Sequence, residues 1–139
     1  MKKLIMILLI LFPSILTAGN PPTVCHTELS TWIKAGQKLT IIDIQSPGDF
    51  RTHNYERSIA THNDPLRLKK VAATLRTGRD KIIIVSADGG SDAARARHLL
   101  TGYGVAPSRM LLLEGGMKAA ATQASCECCK PAALTGAVK

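Results

Sequence analysis

The feature that most constrains this fold is an apolar strand that runs into a short glycine-containing loop and then a helix. It occupies Lys81–Leu100, with the sequence KIIIVSADGGSDAARARHLL. A side chain at the carboxyl end of such a strand lies at the edge of an open sheet, beside a helix N-terminus, which suits a nucleophile or a bound anion. Ser86 holds that position, and Asp88 and Asp92 place two carboxylates in the same loop.

Apolar runs and amphipathic stretches alternate along the rest of the chain. The predicted elements are helix Thr27–Ala35, strand Leu39–Ile44, a short helix near Asp49–His53, a short strand Ser58–Thr61, helix Pro65–Thr77, strand Lys81–Val85, helix Asp92–Leu100, strand Arg109–Leu113 and helix Gly116–Ala124. Trp32 and Ile33 are expected to face inward, and Ser91 is expected to cap its helix. The alternation predicts an α/β fold with a parallel sheet of about five strands and helices on both faces.

The N-terminus has the pattern of a bacterial export signal. Lys2 and Lys3 form a basic start, Leu4–Phe12 is an apolar run too short to span a bilayer comfortably, and Leu16–Ala18 is a cleavage site of small residues. We expect a signal peptide over residues 1–18, one domain over 19–124 and a cysteine-containing tail over 125–139. The expected product is periplasmic or secreted, with no stable membrane span after cleavage.

The chain is basic, with a formal net charge of +8. The positive residues are scattered and have no aromatic residues interleaved, and an exported protein rarely meets nucleic acid, so no nucleic-acid partner is expected. Two interpretations remain open. One is a solvated basic surface, and the other is affinity for acidic partners or anionic lipid.

Three stretches, in this order and spacing, resemble rhodanese-like domains. They are LTIIDIQSPGDF (Leu39–Phe50), the strand-loop-helix described above, and LLLEGGMKAA (Leu111–Ala120). The resemblance implies the rhodanese-like fold and a sulfurtransferase ancestry. In that family a loop cysteine becomes a persulfide and passes its sulfur to a nucleophile, which requires a thiolate and a cradle of N–H groups.

The chemistry in this loop departs from the family pattern. The resemblance places Ser86 where active members have the cysteine and Ser91 where they usually have an arginine. Gln45 stands where arginine is frequent, and His53-Asn54 where a Gly-His pair is common. The candidate site is therefore the loop itself, which consists of Ser86, Ala87, Asp88, Gly89, Gly90, Ser91 and Asp92. No catalytic residue is assigned there with confidence.

Two other uses of the loop are conceivable from its position. The related phosphatase class needs a cysteine and an arginine in a longer loop, and both are missing. A Ser-His-Asp hydrolase would use Ser86 as nucleophile and His53, His62 or His98 as base, but His98 is expected to face away from the loop. A serine that merely ends a strand is the plainer interpretation.

Four cysteines form the other unusual feature: Cys25, Cys126, Cys128 and Cys129. None is expected inside the core. Three interpretations are open. The cysteines can form disulfides, for example one to Cys25, or they can act as a redox or sulfur relay with Cys126 and Cys128 as the attacking and resolving thiols. They can also form a soft metal or metalloid site, which Cys25 or His26 would have to complete. No metal ligand set is assigned with confidence and no cofactor is expected.

The sequence thus predicts an exported rhodanese-like domain with a degenerate loop, a pseudoenzyme that works as a binding or accessory module in the cell envelope. Its partner would be an envelope protein or a small sulfur-containing ligand. The alternatives are a sulfurtransferase or thiol-redox protein that uses the tail cysteines, or a thiol-based metal or metalloid handler. Direct thiosulfate sulfurtransferase activity at Ser86 is not expected.

Overall fold

The computed structural model describes residues 19–122, and they form the predicted α/β fold. The strands are β1 (Thr23–Val24), β2 (Leu39–Asp43), β3 (Ile59–Ala60), β4 (Lys81–Val85) and β5 (Met110–Leu113). The helices are α1 (His26–Lys34), α2 (Pro47–Thr52), α3 (Pro65–Leu75), α4 (Ser91–Gly102) and α5 (Gly116–Thr122), with a 3-10 turn at Pro107–Arg109. All strands pair in parallel, in the order β1-β5-β4-β2-β3.

The two central strands, β2 and β4, fix the position of the candidate site. They pair from Leu39 with Lys81 to Asp43 with Val85, so both strands end at the same level. In β4 four successive side chains are fully buried, as expected for a strand that is covered on both faces. The residues that follow Asp43 and Val85 therefore lie side by side at the carboxyl edge of the sheet.

Helices cover both faces of the sheet, each over its own apolar core. On one face α3 and α4 pack against the sheet; their buried residues are Leu68, Ala72, Leu75, Ala93, Ala96 and Leu100. On the other face α1 contributes Leu29, and α5 contributes Met117 and Ala120. We call the α3–α4 side the two-helix layer.

Several details differ from the sequence predictions. Ile33 was expected to face inward but is 40% exposed, because adjacent helical positions point about 100° apart and its neighbour Trp32 takes the inward direction. Cys25 was expected outside the core but is buried, because it lies between β1 and α1. Strand β1 itself was not predicted.

Other predictions lie outside the described residues. The predicted leader, residues 1–18, and the tail with Cys126, Cys128 and Cys129 are among them. Over residues 19–122, none of the helices has both the length and the apolar character needed to cross a membrane.

Candidate functional site

Ser86 lies directly after β4, where the sequence places it, but its hydroxyl is not presented to solvent. The residue is only 2% exposed. Its Oγ accepts a hydrogen bond from the Gly89 N–H at 2.8 Å. The side chain thus closes the loop from inside, as serine hydroxyls commonly do in turns.

The next side chain in the loop also satisfies the loop's own backbone. Asp88 Oδ1 accepts a hydrogen bond from the Gly90 N–H at 3.0 Å. Gly90 is the N-cap of α4, which begins at Ser91, and the cap makes no side-chain hydrogen bond. The prediction of Ser91 as the N-cap is therefore wrong by one residue, because the Asp88 turn lets the helix begin earlier. A carboxylate of the chain itself occupies one N–H group at the entrance of this helix.

The loop is joined closely to the turn between β5 and α5. The Met117 N–H donates to the Ser86 carbonyl, and the Lys118 N–H donates to the Ala87 carbonyl, both at 2.9 Å. The two glycines where the loop and the turn meet, Gly89 and Gly116, have φ values of +73° and +61°. A Cβ on Gly116 would lie 2.5 Å from the Gly89 nitrogen, so side chains are excluded from this crossing.

A buried polar network follows β2 at the same edge of the sheet. The Asp43 carboxylate is fully buried and accepts two hydrogen bonds from Gln45, one from its backbone N–H at 2.9 Å and one from Nε2 at 3.1 Å. Gln45 Nε2 also donates to the His53 carbonyl at 3.0 Å. His62 Nδ1 lies 2.8 Å from the Gln45 carbonyl oxygen, and Thr61 binds the Asp43 carbonyl.

The environment of Asp43 opposes its negative charge. Burial raises the pKa of this carboxyl above its ordinary value of 3.8, whereas the hydrogen bonds from Gln45 and the positive charge of His62 lower it, with burial the larger effect. Gln45 thus serves as an internal donor to Asp43, and its side chain is 4% exposed.

Beside the Ser86 loop the surface opens into two adjoining pockets, which we call the cleft. The inner pocket, about 140 Å³, has Ala87 on one side and Gln45 and Lys118 on others. The outer pocket, about 470 Å³, reaches His26 and Tyr55. Both pockets share the residues Thr52, His53, Met117 and Ala121. The cleft thus has a mixed polar and apolar lining, as binding pockets for small molecules or short segments usually do.

A histidine-tyrosine pair forms the far end of the cleft. His26 Nδ1 and the Tyr55 hydroxyl form a hydrogen bond, and the two rings are tilted with centroids 5.8 Å apart. Burial, together with the nearby Cys25, raises the pKa of Tyr55 to about 12, so the phenol keeps its proton. Cys25 Sγ accepts from the Glu28 N–H at 3.4 Å at the start of α1.

Among the described residues, none of the three candidate bases forms a hydrogen bond with the Ser86 hydroxyl, whose bond is with the Gly89 N–H. His62 faces the Gln45 carbonyl oxygen, and His53 enters the network through its backbone carbonyl. His98 is exposed on α4, as expected. In the part of the chain that the structure describes, no group of three or more His, Cys, Asp or Glu side chains is arranged to hold a metal ion. The relay and metal hypotheses for Cys126, Cys128 and Cys129 stay predictions.

Sequence reasoning located the Ser86 loop but missed the network behind it. An acidic residue at the end of the apolar run LTIID is unusual for a buried strand, and that signal marks Asp43. Its link to His62 joins residues far apart in the sequence, which no local pattern reveals. The Glu-Gly-Gly turn was recognised, but its contact with Gly89 was not.

Comparisons with known proteins bear on the fold. No protein-family model matches the chain, and no curated protein matches it. Among solved structures, a rhodanese-related protein from Thermoplasma volcanium superposes with a TM-score of 0.58 at 22% identity, over 76% of this chain and 95% of that one. The rhodanese-like domain of a protein from Anabaena sp. gives a TM-score of 0.60 at 18% identity, over 75% and 76% of the two chains.

Enzymes with other described activities share the same architecture. The As-Sb reductase of Leishmania major superposes with a TM-score of 0.64 at 17% identity, over 76% of this chain and 79% of that one. At such identities the likeness concerns the fold and leaves the chemistry of this chain to its own residues.

Proposed function

We propose that this chain, a rhodanese-like domain by its fold, is a non-catalytic binding or accessory module of the cell envelope. The observation that carries the proposal is the internal closure of the Ser86 loop. Its hydroxyl and the Asp88 carboxylate occupy the N–H groups of Gly89 and Gly90. The envelope location depends on the leader predicted over residues 1–18.

The nucleophile position supports this function. Sulfur transfer requires a thiolate, and Ser86 offers a hydroxyl that is buried and already hydrogen-bonded. Serine can be activated only by a base within hydrogen-bond reach, and the Ser86 oxygen is instead paired with a backbone N–H. The position therefore contributes to the shape of the loop.

The electrostatics of the loop support it as well. An anionic donor such as thiosulfate would have to approach the carboxylates of Asp88 and Asp92, which are both exposed at the start of α4. At about 4 Å in water, each such pair of like charges costs on the order of 1 kcal/mol before screening by salt. No arginine of the loop offsets this repulsion.

Binding is assigned to the cleft. It lies where ligands of open α/β sheets usually bind, outside the carboxyl ends of the strands. Lys118 and His53 supply polar groups, and Met117 supplies apolar contact area. These properties fit a small sulfur-containing ligand or a short segment of an envelope protein.

The proposal is tested by sulfur transfer from thiosulfate, and from a persulfide donor, to cyanide. The full chain should turn over at the background rate. Ser86→Cys should stay near background, because Asp88 remains in the loop, whereas Ser86→Cys combined with Asp88→Asn should be about tenfold faster than Ser86→Cys alone. Ser108→Cys, at an exposed position in the 3-10 turn away from the cleft, controls for the added thiol.

Two results would replace the proposal. Wild-type turnover that disappears in a variant with Cys126, Cys128 and Cys129 changed to Ser would establish the relay in the tail. Turnover that disappears in Ser86→Ala would establish catalysis in the loop.

A further inference from the structure

The positive charge of the domain is concentrated on one side. Residues 64–109 carry nine Lys and Arg against four Asp and Glu, whereas the rest of residues 19–122 carries five of each. This segment contains both helices of the two-helix layer. Six of its nine cations lie in α3 and α4 or at the end of α3, whereas Lys81 stacks on Trp32 of α1; the six are Arg67, Lys69, Lys70, Arg76, Arg95 and Arg97.

Helix α3 shows the asymmetry most clearly. Its sequence, PLRLKKVAATL, holds three cations and no acidic residue. Arg67, Lys69 and Lys70 are all exposed. The carboxylate directly before the helix, Asp64, is engaged as the N-cap and accepts from the Leu66 and Arg67 N–H groups at 2.8 and 3.2 Å.

An apolar side chain stands among these cations. Leu66 is 78% exposed, the largest value among the exposed large hydrophobic residues of the described chain. At about 100° per residue it shares the outward face of α3 with Lys70, opposite the buried Leu68 and Leu75. An exposed leucine beside lysine and arginine offers the two contacts that helices on a membrane surface use, apolar insertion and attraction to anionic lipid.

The basic surface continues from α3 towards α4. A shallow depression of about 430 Å³ lies between the helices and is lined by Lys69, Arg76 and Tyr103. The Arg76 stem rests against Gly104, whose missing Cβ would lie 3.1 Å from it. Arg95 adds a further exposed cation on α4.

We propose that the two-helix layer docks on an anionic phospholipid surface. Leu66 inserts between the lipid headgroups, and the cations of α3 lie against the negatively charged headgroups. Charge complementarity selects a negatively charged partner. The exposed leucine favours lipid over nucleic acid, because α3 itself carries no aromatic side chain on which bases could stack. The cleft, at the carboxyl edge of the sheet, would stay open to its own ligand.

The test is sedimentation of the full chain with vesicles of phosphatidylcholine containing about 30% phosphatidylglycerol, compared with pure phosphatidylcholine. The apolar run Leu4–Phe12 is present in every variant, so the readout is the ratio of the two partition coefficients. Arg67→Glu with Lys70→Glu should lower this ratio more than tenfold, since each cation near an anionic surface is worth about fivefold in binding. The matched control, Lys34→Glu with Lys38→Glu, changes the net charge equally outside the layer and should retain most of the ratio.

A second pair of variants tests insertion. Leu66→Ser should weaken binding to the anionic vesicles several-fold, whereas Ile33→Ser, at the exposed position on α1, should leave it unchanged. Equal ratios for the two charge-reversed variants would overturn the proposal in favour of net charge alone. A wild-type ratio near one would also overturn it. So would single-stranded RNA that competes away the vesicle binding, if the affinity for that RNA is the same in the wild type and in Leu66→Ser.

Discussion

Among the described acidic residues, Asp43 is the one whose side chain is fully buried. Its carboxylate is buried at the end of β2 and depends on Gln45 for its two hydrogen bonds. Because burial outweighs these bonds, the folded chain holds the Asp43 proton more tightly than the unfolded chain does. The contribution of Asp43 to stability is therefore fully present below its unfolded pKa and is lost as the pH rises through the folded pKa.

This linkage predicts the pH dependence of an Asp43→Asn variant. The free energy of unfolding of the wild type, relative to the variant, should rise as the pH is lowered from about 7 towards about 4. The variant also loses an acceptor for Gln45 Nε2, but that loss is independent of pH and does not alter the slope. Urea unfolding at both pH values measures the difference, and an unchanged difference would contradict a raised pKa.

Among the elements, the Ser86 loop and the turn before α5 depend on each other. The hydrogen bonds from Met117 and Lys118 hold the loop, and the bare backbone at Gly89 and Gly116 lets the two segments touch. The loop is thus fixed by α5 as much as by the strand and helix that flank it.

Substitution of Gly116 by Ala should destabilise the domain by about 2–4 kcal/mol, because it combines a strained positive φ with a backbone clash. Gly36→Ala separates the two causes, since Gly36 has a φ of +69° but open space around it, and it should cost about 1–2 kcal/mol. Gly102→Ala, in α4 with open space, should be neutral or stabilising. Urea unfolding ranks the three, and a Gly116→Ala loss no larger than that of Gly36→Ala would refute the clash.

The elements with strong local patterns were the predictable ones. The apolar runs of β2 and β4 and the amphipathic stripe of α3 are visible in the sequence because burial repeats at the period of each element. Strand β1 was not predicted, because two residues are too few to show a periodic pattern of apolar side chains. It is defined by its pairing with β5. The Ser86 loop was predicted from its flanking elements, but its contact with Gly116 required the fold.

At the scale of the whole molecule, stability should decrease from the centre of the sheet to its edges. β4 lies between β2 and β5 and is covered on both faces, whereas β1 and β3 are two-residue strands at the edges. The amides of Ile83 and Ile84 should therefore exchange hydrogen only through global unfolding, and that of Ile59 should exchange faster. Hydrogen exchange followed by NMR measures this order, and equal protection of centre and edge would contradict it.

The molecule also separates its two proposed contacts in space. The cleft lies at the carboxyl edge of the sheet, beside α2 and α5, and the cations proposed to bind lipid lie on α3 and α4. A ligand in the cleft and a surface under α3 would therefore not compete. The sequence predicted an excess of basic charge, but its concentration on one side depends on the order of the strands.

The crossing of Gly89 and Gly116 also limits how this loop can change over evolutionary time. At the crossing itself a residue larger than glycine would require the backbone to move, because there is no room for one more methyl group. Single-residue replacements that keep the spacing meet no such barrier at exposed positions such as Asp88 and Ser91. The loop can thus exchange its chemistry at exposed positions while it keeps its length.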